Sequence, residues 1–474
     1  MTEALWTSAE IAATVAGQVS GDFAATGVSI DSRSLERGDL FVALQGPTFD
    51  GHDFVAAALQ RGAAGALIHR RPANLPADAP VIEVVDTMKA LEDLGRAARA
   101  RTEAKVAAVT GSVGKTSTKE ALRSVLSLFA PTFASAGNLN NQWGAPLSLA
   151  RMPRDTRYGV FELGMNHAGE ISPLSQMVRP EVAIITTVEP VHIEFFPSVA
   201  EIADAKAEIF DGLLPGGAAV LPFDNPHFDR LEAKAKRMGA RILTFGANEG
   251  AWARLIDCQV EPDGNQVTAE IGGKRLRYRM AAPGRHLALN SVAVLAGAFA
   301  FDLDLDQALP AFGAVQPLKG RGKREFLKIK DGQLELIDEG YNASPASVRA
   351  ALGLLGTLPT AFGGRRIAVL GDMRELGSVG PQLHRDLAPD LSAAKVELAF
   401  LVGPQMQGLY DLLPDAMKGA HRATSDEMVQ PLLAALKASD TVLIKGSLGT
   451  RMAPLVEAVR ALGSGADKKT ANGH

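Results

Sequence analysis

The sequence predicts an α/β protein of three domains, and three observations carry that expectation. Short apolar runs alternate with stretches of helical periodicity, two composition breaks divide the chain, and a glycine-rich turn joins a strand to a helix. Strands that alternate with helices build parallel sheets with helices packed on both faces. At roughly 150 residues per domain, a chain of 474 residues suits three.

The elements follow in order. In the first segment "DLFVALQG" reads as a strand, and "GHDFVAAALQRGAAGALI" as a helix followed by another strand. The helix-like "MKALEDLGRAARART", Met88 to Thr102, closes a mixed N-terminal domain over residues 1–102. The strand "KVAAVTG" opens the next domain, where "GVFELG", "VAIITTV", "AAVLPF" and "RILTFG" read as buried strands. A second break, "GAVQPLKGRGKREF" from Gly313 to Phe326, is rich in Gly, Pro and basic residues. It places a hinge near Pro317 and bounds the central domain at 103–316. Beyond it "LELIDEG", "RIAVLGD", "ELAFLVG" and "TVLIKGS" predict a Rossmann-like domain over 317–463. The polar ending predicts a disordered tail over 464–474.

Bulk properties exclude several classes. Hydrophobic residues make up 46% and charged residues 22%, as in ordinary globular proteins. A net charge of −4 gives no basic field for nucleic acid. A single cysteine, Cys258, rules out an internal disulfide framework and suits a reducing compartment. The opening residues lack a basic, then apolar, leader, and no run of about 18 apolar residues exists. The expectation is a cytoplasmic protein with no membrane span.

The stretch "VAAVTGSVGKTSTKEAL" carries the chemistry. It departs from the general pattern G-x-x-x-x-G-K-[ST], since Val109 stands at the first glycine. The shorter form remains: Gly111, Ser112, Val113, Gly114, Lys115, Thr116, followed by Ser117. Backbone N–H groups can crowd a phosphate there, and the helix N-terminus adds its positive dipole end. Lys115 would reach the outer phosphates and the Thr116 hydroxyl would ligate Mg²⁺. The central domain therefore reads as P-loop ATPase-like.

Other polar residues gather at strand ends, where ligands of open α/β sheets sit. Glu162 ends "VFE"; a lone acidic terminus is ordinarily just solvated, but beside a phosphate loop it reads as a Mg²⁺ ligand. His192 in "TTVEPVHIEFF" follows another strand. Lys206 in "AEIADAKAEIF" is not singled out by spacing. His286 and Asn290 stand at i and i+4 of one helix. Arg321, Asp338, Tyr341 and Asn342 lie at or after the hinge. Ser32 and Arg33 could meet a diphosphate. Each of these is weak alone.

Read in order, "TGSVGKTSTK", "ELGMN", "TTVEPVHIEFF", "AKAEIF", "GRHLALNSVAVLA", "LKGRGKR", "DEGYNASP" and "VLGDMRELG" resemble the Mur ligase family over nearly the whole chain. "GNLNNQWGAPLSL", "ELGMNHAGEI", "DEGYNASPAS" and "GDMRELG" resemble its branch that adds D-Ala-D-Ala to UDP-MurNAc-tripeptide. The resemblance implies an ATP-dependent amide ligase of peptidoglycan precursor synthesis, working through an acyl phosphate. Lys115, Glu162, His192 and Lys206 would be its catalytic residues. Thr116 and Glu162 would hold one Mg²⁺; His192 and a carbamylated Lys206 would serve a second. The loop Gly111–Ser117, His286, Asn290, Arg321, Asp338, Tyr341 and Asn342 would bind ATP. Ser32 and Arg33 would sit at the UDP end, Asn138, Asn140 and Asn141 would shape the peptide cleft, and Asp372 and Glu375 would serve the incoming dipeptide. Its partners would be these small molecules, and it would act as a monomer. The alternatives are the third-residue-adding ligase, a folylpolyglutamate synthase-like enzyme, or a P-loop NTPase switch.

Overall fold

The computed structural model describes residues 4–360 and 363–470, without the side chains of the last seven. Among the described residues, three large sheets follow one another along the chain, beside one two-stranded ribbon. The first sheet has the order Gln18–Ser20, Val81–Glu83, Gly65–Ile68, Asp39–Val42, Gly27–Ser29. Its first pair is antiparallel and the rest are parallel, so it is mixed.

The central sheet has nine strands. Lys105–Thr110 lies within it, with Tyr158–Glu162 and Val182–Ile185 parallel on either side. Its residues from Val106 to Thr110 are buried, as a strand covered on both faces requires. Alternate side chains divide between two cores. Ala107 and Val109 join Leu122 and Val125 of the helix Lys115–Leu126 and Val292 of the helix Arg285–Ala300. Val106 and Ala108 join Leu149, Ile171 and Ile202 on the other face.

One part of this sheet departs from the expected pattern of buried strands. Ala253–Glu261, Gly264–Ile271 and Lys274–Met280 form an antiparallel meander on its edge. The two-residue loops Pro262-Asp263, followed by Gly264, and Gly272-Gly273 join the strands as hairpins.

The last sheet runs Lys323–Ile329, Gly332–Glu339, Thr441–Lys445, Arg366–Gly371, Leu398–Val402, Lys418–Arg422. Only its first pair is antiparallel. The chain thus has the α/β class its sequence predicts, with a mostly parallel central sheet. The final helix, Ala453–Thr470, carries Pro454 in its first turn, where it is tolerated, and runs into the segment expected to be a disordered tail. Of that expected tail, residues 471–474 lie outside the described residues.

Side chains tie the sheets together. The Trp6 indole N–H donates to the Ala150 carbonyl at 2.8 Å, and Leu147 and Ala150 enter the first sheet's core. Ile193 packs against the cores of both the central and last sheets. No helix among the described residues is long and apolar enough to cross a membrane.

Leu122 is fully buried between the loop-bearing helix and the sheet. Leu122→Ala is expected to destabilise the central domain by about 2–5 kcal/mol, read as a lower urea midpoint. A loss below about 0.5 kcal/mol, the range of ordinary surface changes, would contradict this packing.

Candidate active site

The site grows from one register. The parallel pairing sets Glu162 opposite Val109, just before the glycine loop begins. The next helix starts at Lys115, so its first turn returns over the strand ends. The Thr116 hydroxyl donates to one Glu162 oxygen at 2.8 Å, and the Asn140 amide donates to the other at 2.8 Å. The Glu162 N–H donates to the Ser135 hydroxyl at 3.1 Å. Behind it the buried Lys119 ammonium donates to the Ser135 carbonyl at 2.5 Å. Thr116 and Asn140 therefore hold the carboxylate beside the loop, and Ser135 holds its backbone.

The loop itself is pinned from the neighbouring strand end. The Ser112 hydroxyl donates to the Glu189 carbonyl at 3.0 Å, and the Thr186 hydroxyl donates to the Val113 carbonyl at 2.5 Å. Gly114 has φ 84°, and a Cβ there would come within 2.8 Å of the Asn290 amide nitrogen. Lys115 folds back, its ammonium donating to the Gly111 carbonyl at 2.7 Å. Burial pushes this ammonium below the usual lysine range against the pull of Glu162, and Arg321 adds to the depression.

An apolar-walled cleft opens beside the helix start. Met280, Ala282, Leu287, Phe312 and Leu318 supply apolar walls, while Ser117, Asn290, Gln316 and Arg321 supply polar groups. That lining, apolar with a few convergent polar groups, suits a flat heterocycle with a few directing hydrogen bonds. The Arg321 guanidinium lies 4.2 Å from the Tyr341 ring centroid. His286 is exposed and feels the charges of Glu339 and Lys445 from the last domain. The Lys445 ammonium donates to Glu339 at 2.9 Å and to the Asn342 carbonyl at 3.0 Å.

Two further cations or proton carriers face the loop. His192 sits in a left-handed conformation, and its Nδ1 pairs with the Glu375 carboxylate of the last domain. Burial lowers its pKa, against the pull of Glu375 and with help from Lys115 and Lys206. Lys206 is buried on the helix Val199–Ala207. Burial first, and Lys115 second, push its ammonium well below the usual lysine range; no carboxylate is among the groups acting on it.

These surroundings can be tested against the expected groups. Among the described residues, no three His, Cys, Asp or Glu side chains cluster tightly enough to cage a metal alone. Mg²⁺ needs no such cage, since it keeps waters and takes one or two carboxylates plus phosphate oxygens. The Thr116 hydroxyl and Glu162 carboxylate are hard oxygen donors in contact, which fits. A buried lysine held toward its neutral form without an acid partner fits carbamylation.

Other expected residues have different partners. Asp338 is buried, accepting from the Arg460 guanidinium at 2.9 Å and the Gly340 N–H at 3.1 Å. Its charge is consumed by an arginine 122 positions later. Asp372 is buried at the start of a short helical segment, accepting from the Met406 N–H at 3.0 Å, and burial pushes its carboxyl up. Glu375 faces His192. Asn141 accepts from the Gly144 N–H at 3.0 Å and so opens a helix, while Asn138 is exposed. Asn140 belongs to the Glu162 cluster. Arg33 is exposed and paired with Asp31 at 2.8 Å on the first domain, with Ser32 beside it. Sequence reading missed Lys119, Ser135 and the apolar cleft walls. The pattern "GKTSTKE" offered Lys119, but nothing in it marked a buried lysine.

Gly114→Ala is expected to strain the loop by about 1–2 kcal/mol and to press on Asn290. Binding of a fluorescent ATP analogue should weaken by roughly tenfold or more, a difference of about 1.4 kcal/mol. Unchanged affinity would remove this loop from the site.

Comparison with known proteins adds to the geometry. Residues 24–99 match the Mur ligase family catalytic domain, 109–298 the Mur ligase middle domain, and 325–448 the Mur ligase glutamate ligase domain. The UDP-N-acetylmuramoyl-tripeptide–D-alanyl-D-alanine ligase of Escherichia coli is 35% identical over 450 residues, covering 94% of this chain and 96% of that one. A crystal structure of MurF from Acinetobacter baumannii superposes with a TM-score of 0.84 at 31% identity, covering 96% of this chain and 99% of that one. MurF ligase from Thermotoga maritima in complex with ADP gives a TM-score of 0.78 at 25% identity, covering 93% and 98%.

Proposed function

The chain belongs to the Mur ligase family, and we propose that it joins D-Ala-D-Ala to the C-terminal carboxylate of UDP-MurNAc-tripeptide with ATP as the energy source. The observation that carries this reading is the Thr116–Glu162–Asn140 cluster, built at the start of the same helix whose next residue, Ser117, lines the apolar-walled cleft. It occurs in a chain alignable along nearly its whole length with ligases named for that reaction. A P-loop switch has no need of such full-length similarity. Neither the third-residue-adding ligase nor folylpolyglutamate synthase is what those full-length relatives are named.

A carboxylate is a poor acyl donor because oxide is a poor leaving group. In the proposed reaction a tripeptide carboxylate oxygen attacks the γ-phosphorus, and ADP leaves. The acyl phosphate then meets the amine of D-Ala-D-Ala. The new C–N bond forms as the C–O bond to phosphate breaks, and the amine gives up a proton. Lys115 neutralises and orients the outer phosphates. The Gly111–Ser117 loop presents backbone N–H groups to them. Asn290 and Arg321 direct the adenine end in the apolar cleft, His286 stands near it, and Tyr341 and Asn342 complete the wall from the last domain.

Thr116 and Glu162 would hold Mg²⁺, and His192 with a carbamylated Lys206 would hold a second. When bound, these ions offset the repulsion between carboxylate and triphosphate. Ser32 and Arg33 take the UDP end, and Asn138 and Asn141 border the peptide. The nucleotide-linked substrates place the enzyme in the cytoplasm, where it acts as a monomer.

Lys115→Ala is expected to lower dipeptide-dependent phosphate release by roughly 10³-fold, while the melting profile is kept. Phosphate release from wild type that ignores D-Ala-D-Ala would sink the reading itself. Lys206→Ala is expected to be nearly inactive and partly restored by formate, which can occupy the vacated oxygen position. Full activity of Lys206→Ala without additive would remove the carbamate from the account.

A further inference from the structure

The geometry points to Glu375 as a positioning residue that holds His192 from across the domain boundary. This rests on the functional reading above. His192 lies on the central domain, between the strand Val182–Ile185 and the helix Val199–Ala207. Glu375 follows the strand Arg366–Gly371 of the last domain, 183 positions later.

Several independent contacts converge on this pair. The His192 Nδ1 meets the Glu375 carboxylate, and the Glu194 N–H donates to the Glu375 carbonyl at 3.2 Å. Ile193, between them in sequence, packs into the last domain's core, which includes Met373 and Leu376. Gly377 lies so close that a Cβ there would stand 3.2 Å from the Glu194 Cα. Both His192 and Glu375 have left-handed backbones, with φ 61° and 62°. Non-glycine residues hold that conformation only where their surroundings over-determine it. Here each is held by the other's domain.

The consequence is chemical. A carboxylate accepting from Nδ1 fixes the proton there and leaves Nε2 as the free ring nitrogen. On its other side His192 is within electrostatic reach of Lys115 and Lys206. Glu375 therefore sets the tautomer and angle of the ring that would serve the second Mg²⁺. A dipeptide ligand would instead keep its carboxylate free for the incoming amine.

The test uses Glu375→Ala and Glu375→Gln in the full-length enzyme. Wild type, assayed in parallel for dipeptide-dependent turnover, keeps a failure of the functional reading apart. Glu375→Ala is expected to lower kcat by about 10–100-fold, with KM for D-Ala-D-Ala within about threefold of wild type. Glu375→Gln should recover most of the loss, because its amide oxygen accepts the same N–H. Small-angle scattering with a non-hydrolysable ATP analogue and UDP-MurNAc-tripeptide should give a larger radius of gyration for Glu375→Ala than for wild type. A raised KM for D-Ala-D-Ala with kcat kept, a Gln variant as poor as Ala, or an unchanged radius would each overturn the assignment.

Discussion

The site depends on the register between two parallel strands. Pairing Glu162 with Val109 puts a carboxylate level with the end of the strand that feeds the glycine loop. A slip of one residue would turn Glu162 into an apolar face and leave Thr116 without its partner. That register is specified by burial on both faces, since every residue from Val106 to Thr110 is inside. The same packing that stabilises the central domain therefore places its chemistry. The helix Lys115–Leu126 transmits the constraint, because its apolar face is locked by Leu122 and Val125 while its first turn carries Lys115 and Thr116.

Charge is distributed unevenly around this frame. Glu162 is held by two neutral donors, Thr116 and Asn140, and so keeps its capacity to meet a cation. Burial pushes both Lys115 and Lys206 toward neutrality; Arg321 adds to the cost of charge on Lys115, and Lys115 to that on Lys206. A triphosphate entering the cleft would relieve that repulsion for Lys115. Burial favours the neutral amine at Lys206, the form that carbamylation requires. His192 is shared between domains, which links the arrangement of the whole chain to a few atoms at its centre.

What could be read from the sequence was what is local. The strand, glycine turn and helix around Gly114 are contiguous, and their chemistry survives the loss of the usual glycine at Val109. The buried strands of the central and last sheets announced themselves as apolar runs. Partners far apart in sequence did not. Asp338 is expected at ATP and Asp372 at the dipeptide, but no local pattern shows that Asp338 meets Arg460 or that Asp372 accepts from the Met406 N–H. Glu375 looked like a dipeptide contact, and only the docking of two domains brings it to His192. The cleft walls are scattered from Met280 to Leu318 as ordinary apolar residues, with no motif to mark them. The meander from Ala253 to Met280 was not read, because its strands alternate buried with exposed residues instead of forming apolar runs.

The central claim is that the cluster around Glu162 brings a carboxylate and a triphosphate together, and that phosphorus goes to the carboxylate oxygen. Turnover of UDP-MurNAc-tripeptide labelled with ¹⁸O in its terminal carboxylate, with ATP and D-Ala-D-Ala, tests it most directly. Mass analysis of the released phosphate should find one labelled oxygen per amide formed, because the C–O bond breaks after phosphorylation. Phosphate free of label, with amide still produced, would contradict the account.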